Sequence, residues 1–108
     1  MPDRSDKREA HRALVHRILH GPGKASPEQR AQAFRNADVP PPLQPLIDKV
    51  ATRPTQVTDA DFDAAEAAGF SEDQVFELVI SAAVGQSTRL YEAGLAALTE
   101  ATSGGRGD

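Results

Sequence analysis

Two complete helix-start signals stand back to back in residues 57–98, VTDADFDAAEAAGFSEDQVFELVISAAVGQSTRLYEAGLAAL, and they constrain this chain more than anything else in it. Thr58 is an N-cap residue, and Asp59 and Asp61 follow it where acids suit the positive end of a helix. Val57 before the cap and Phe62 at the fourth helical position form a hydrophobic staple. Gly69 supplies the left-handed closing position that other residues resist. Ser71 then caps a new helix at once, with Gln74 as its capping-box partner and Phe70 and Val75 as a second staple. The two signals in succession predict two helices joined at a glycine.

The second of these helices, expected over 72–98, has an unusual girth. Between Val75 and Val84 only Glu77 and Ser81 are polar. A helix apolar nearly all round is buried on more than one side. A chain of 108 residues has little material to surround it, so part of that surface is expected to meet another subunit. Ala82, Ala83, Gly85, Gly94, Ala96 and Ala97 permit close helix approach, and Gly85 and Gly94 are the positions where the helix could bend.

Upstream, the first helix is expected over 3–20, with Ala10, Ala13, Leu14 and Ile18 on its apolar stripe, Val15 and Leu19 beside it, and Gly21-Pro22 as its stop. Ser26, Pro27 and Gln29 open a second helix through a capping box with proline in the first turn. That helix is expected to end near Ala37, before Pro40, Pro41 and Pro42, which read as a stiff extended connector between two halves. A short third helix follows from about 43 or 45 to 51, with Leu46, Ile47 and Val50 inward and Pro54 as its end. The expectation is an all-α fold of about five helices. It forms a single domain over 1–101 with its core at about 43–98, followed by a flexible C-terminal tail at 102–108.

Composition supports helices over strands: aromatics are 5% of the chain and Trp is absent. A sandwich core would want more aromatic and β-branched residues. The absence of cysteine removes disulfides, thiolate metal sites and any thiol nucleophile together. No leading apolar run resembles a secretory signal, and no stretch approaches the ~20 apolar residues that span a bilayer, so a cytoplasmic protein with no membrane partner is expected. The net charge of −4 hides a split, with a basic half up to Val50 and an acidic half beyond it. Such a split fits either a nucleic-acid arm or self-association. The basic half lacks interleaved aromatics, so nucleic acid is not expected as a partner.

In order and spacing, Val57-Thr58-Asp59, Ala68-Gly69-Phe70, Ser71-Glu72-Asp73 and Arg89-Leu90 resemble elements of the carboxymuconolactone decarboxylase superfamily, which includes the alkyl hydroperoxidase D-like proteins. The resemblance covers about half the chain, chiefly 46–98. It implies an all-α fold assembled as a homo-oligomer, here through the 72–98 helix. Redox members work through a cysteine pair with a histidine four residues after the second. This chain has no cysteine, and its histidines, His11, His16 and His20, all fall in the first helix. Gly85 and Thr88 stand where the family's asparagines are expected. Thiol peroxidase chemistry is therefore excluded for the chain acting alone, and no decarboxylase-type catalytic residue maps onto it.

Four polar groups, Glu77, Ser81, Thr88 and Glu92, fall roughly on one stripe of the long helix with Arg89 beside it, and polar groups in so apolar a helix need partners. Arg89 is either an ion-pair hub with Glu66 or another acid, or the cation of a cleft for an anionic or carbonyl ligand. Glu77, Arg89 and Glu92 are accordingly the candidate ligand-binding residues. His16 and His20 stand one turn apart but lack a third ligand, so no metal is expected, and no cofactor. Asp59, Asp61 and Asp63 lack the glycine and final glutamate of a calcium loop. Arg106-Gly107-Asp108 is a chance tripeptide in the tail. The function expected is that of a non-redox oligomeric accessory or interaction protein, open to a further protein partner. The alternative is a small-molecule enzyme of decarboxylase or lactone-processing type with a polar cleft between helices.

Overall fold

Helix α5, Glu72–Gly104, is the spine on which the others lie. The computed structural model describes residues 4–104. In chain order its α-helices are α1 (Arg4–His20), α2 (Pro27–Arg35), α3 (Gln44–Thr52), α4 (Asp59–Ala67) and α5, with one 3-10 turn at Pro54–Gln56. No strand occurs among the described residues.

The local start signals act as their residue types require. At α2, the Gln29 N–H donates to Ser26 Oγ at 3.0 Å and the Ser26 N–H to Gln29 Oε1 at 2.9 Å. At α5 the same reciprocal pair joins Ser71 and Gln74 at 3.1 and 2.8 Å. Each box satisfies amides that the first turn would leave without partners. At α4 the carboxylate of Asp61 collects the Thr58 N–H at 2.9 Å and its hydroxyl at 3.2 Å. Lys49 adds an ion pair from α3 at 3.0 Å. The Thr58 amide bond first, and the Lys49 ammonium after it, hold the Asp61 carboxyl below the ordinary aspartate value. Gly69, at φ +104, closes α4. Both staples reach the core, Val75 as a member and Val57, Phe62 and Phe70 packed against it.

That core gathers Ala25, Ala33, Val39, Leu43, Leu46, Ile47, Ala65, Val75, Leu78 and Ala82. It therefore begins well before residue 43, because α2 packs along α5 more extensively than any other helix does. Gly85 explains how α2 comes so close. A Cβ there would overlap the carbonyl oxygen and Cα of Phe34, so only glycine admits the end of α2 against α5. α5 is continuous through Gly85 and Gly94; the first glycine serves contact with α2, not a bend.

Three expectations change. The second helix stops at Arg35, two residues early, because Asn36 adopts the left-handed conformation at φ 51 and caps it. The prolines are no extended spacer. Pro40 accepts hydrogen bonds from the Leu43 N–H at 2.9 Å and the Gln44 N–H at 3.1 Å. The run thus turns tightly between buried Val39 and Leu43 and leads straight into α3. Finally, α5 runs past 98 to Gly104, and the rest of the expected tail, 105–108, lies outside the described residues.

The molecule is elongated, 58 × 27 × 24 Å, with a radius of gyration of 16.6 Å, against about 13 Å for a compact domain of this length. The excess is the free end of α5, where residues 96–102 are exposed on every side. No helix among the described residues is long and apolar enough to cross a membrane.

Candidate functional site

The structure separates the three candidate residues and gives each its own neighbourhood. Glu77 faces the segment between α1 and α2. Its carboxylate accepts the Lys24 N–H at 2.8 and 2.9 Å on its two oxygens, and the Ala25 N–H at 2.7 Å. Ala25 is buried, and removing the carboxylate would strip its amide of this partner. Glu77 thus fixes the entry into α2.

Arg89 lies roughly 18 Å further along α5 at 1.5 Å per residue. Its Nη1 donates to the Phe34 carbonyl oxygen at 2.7 Å, and its Nε and Nη2 to Gln86 Oε1 at 3.1 and 3.0 Å. Among the described residues no acid, Glu66 included, pairs with it, and the expected carboxylate hub does not form there. Its partner is a carbonyl in the last turn of α2, where a cation also opposes the negative end of the helix dipole. Glu77 and Arg89 therefore clasp the two ends of α2, an anion where it begins and a cation where it ends.

Glu92 points elsewhere. It is exposed and borders a cavity of about 180 Å³ between α1 and α5, together with His11 and Tyr91. There the His11 ring stacks on Tyr91 at 5.1 Å and 8°, and its Nε2 lies 2.9 Å from Thr88 Oγ1. The Thr88 hydroxyl spends its proton on the Val84 carbonyl at 2.7 Å. It can only accept from the ring, which places a proton on Nε2. This contact ties α1 to α5. His16 and His20 approach each other at 4.8 Å, and no group of three or more potential metal ligands occurs among the described residues.

A further residue escaped the sequence argument. Arg30 of α2 is only 6% exposed, and its Nη1 donates to the carbonyl oxygens of Ile18 at 3.1 Å and Gly21 at 2.6 Å. It does for the end of α1 what Arg89 does for the end of α2. The signal was present: Arg30 stands three residues before Ala33, in the register that α2 turns inward. Ser81, fully buried, returns its hydroxyl to the Glu77 carbonyl at 2.9 Å.

The chain matches no family profile, no curated protein and no solved structure.

Proposed function

We propose that this chain is a non-redox accessory or interaction protein of the carboxymuconolactone decarboxylase-like helical type, and that it works as a homo-oligomer joined through α5. One observation carries the reading: α5 presents an apolar face that nothing among the described residues covers. Phe76 and Leu90 are each 63% exposed and Leu98 is 47% exposed. Phe76, Ala83, Leu90 and Ala97 recur at heptad spacing, Leu98 adjoins the last of them, and the stripe carries no charge from 76 to 98. Exposed apolar surface of this continuity marks an interaction site.

A second copy of the chain is the occupant that fits. An antiparallel pairing of the outer faces, centred at the level of Gly85 but on the side away from it, sets Phe76 opposite Gly94 and Ile80 opposite Leu90, large residues meeting small or apolar ones around a twofold axis. It also gives the free end of α5 a neighbour, which an isolated helix in water lacks. The clasp at both ends of α2 stiffens the surface from which this face projects.

Light scattering at micromolar concentration tests the reading. Ala83 is exposed within the chain, so Ala83→Glu should leave the helical spectrum intact and yield monomers. A wild-type protein that is itself monomeric would remove the proposal. The alternative, an enzyme with a polar cleft between helices, is favoured by one feature, a cavity beside the buried Arg30.

A further inference from the structure

Arg30 is a buried cation without a counter-ion. Among the described residues it makes no ion pair; the carboxylates of Asp61 and Asp48 are engaged by Lys49 and Arg53. Glu77, the acid on the adjoining part of α5, has both oxygens committed to the Lys24 and Ala25 amides. The guanidinium is always charged, and carbonyl dipoles offset its desolvation only in part. Nη1 has two carbonyl acceptors, whereas Nε is enclosed and has none. An orphaned buried donor calls for an explanation.

The space beside it supplies one. Arg30 borders a cavity of about 190 Å³ where α1, α2 and α5 meet. Arg17 enters from α1 and Glu77 from α5, while Ile18 and Ile80 give it apolar walls. Two guanidinium groups against one carboxylate leave one positive charge unmatched. The volume is smaller than the ~300 Å³ at which drug-sized pockets begin and holds a ligand of a few heavy atoms.

We propose that this cavity binds a short-chain monocarboxylate. Its two oxygens take the Nε and Nη2 edge of Arg30, the fork geometry that matches a carboxylate. Arg17 completes the charge from the facing helix, and the alkyl tail lies against Ile18 and Ile80. Because Nε is enclosed, binding turns the guanidinium about its Nη1 anchor on the Ile18 and Gly21 carbonyls. Arg17, Arg30 and Ile18 stand apart from the outer face of α5, and Ile80 alone is shared with the proposed pairing.

Side-chain NMR of the full chain, following the arginine Nε–H signals during titration with butyrate, tests this. A saturable shift of the Arg30 signal is expected at millimolar butyrate, an affinity on the order of 4 kcal/mol, with the Arg89 signal unmoved. Arg17→Ala should weaken binding about tenfold, and Arg30→Lys, which lacks the fork, should abolish it. Should Arg30→Lys fail to fold, Ile18→Phe keeps both arginines and the backbone carbonyl that anchors Arg30, fills the cavity and should block butyrate. Three results would overturn the proposal: no saturable shift, equal binding of inorganic phosphate, or a response matched by sodium chloride.

Discussion

The two faces of α5 differ in how their residues are engaged. The inner face is committed, and its few polar groups hold the backbone of other segments: Glu77 the amides of Lys24 and Ala25, Arg89 the carbonyl of Phe34, Ser81 a carbonyl of its own helix. The outer face carries Phe76, Leu90 and Leu98 into solvent. The same helix therefore builds the fold with Val75, Leu78 and Ala82 in the core and its polar residues on neighbouring backbone, and leaves a second row of large apolar residues free. Substitutions along α5 should sort by face, and the size of each effect is how the contrast can be broken.

Gly85 is the most demanding inner position. An added methyl has nowhere to go except into the Phe34 backbone. Gly85→Ala should lower stability by about 3 kcal/mol, overpacking that far outweighs the helix-propensity gain. Chemical denaturation measures it directly. A variant as stable as wild type would mean that α2 does not sit where the inner-face argument needs it.

Glu77→Ala comes next, at about 2 kcal/mol, since it strips acceptors from two amides, one of them buried. Glu77→Gln should recover part of that loss, because one oxygen survives to accept. A ligand-binding Glu77 with no structural duty would show the opposite pattern, with normal melts for both variants.

Arg89→Ala should cost less, about 1 kcal/mol, because the guanidinium is exposed and its partners are one carbonyl oxygen of α2 and the Gln86 side chain, with no charge among them. That is below the ~3 kcal/mol appropriate to a buried carboxylate stripped of its cation. A thermal melt resolves the two figures, and the larger one would restore the hub that the geometry argues against.

These cases also mark how far the sequence was legible. The capping boxes at Ser26/Gln29 and Ser71/Gln74 were, because each bond spans three residues and its chemistry is complete within them. The number and order of helices followed. The backbone partners of Glu77 and Arg89 lie 50 or more residues away, and nothing in a local pattern selects a backbone amide or carbonyl over a carboxylate. Side-chain chemistry alone suggested an ion pair for Arg89, and the fold supplied a helix end. The proline run misled for a related reason: Pro40 donates nothing, but its carbonyl can still accept from Leu43 and Gln44 and close a turn. Asn36 and Arg30 were local signals that went unread, a left-handed helix end and a cation in an apolar register.

Gly94 gives the smallest expected effect and the sharpest comparison with Gly85. A methyl group there would meet nothing within 4 Å. In the isolated chain Gly94→Ala should stabilise α5, by at most about 1 kcal/mol, through helix propensity alone. In an antiparallel pair the same methyl would stand where Phe76 of the second copy comes to rest, and should loosen association. The two readouts then move in opposite directions: the melt of dilute protein rises while the dimer dissociates at a higher concentration. Melting curves across a dilution series separate the effects, since dimer stability varies with concentration and chain stability does not. If Gly94→Ala raises the melt equally at every dilution, Phe76 does not seat on Gly94, and the outer face is covered in some other register.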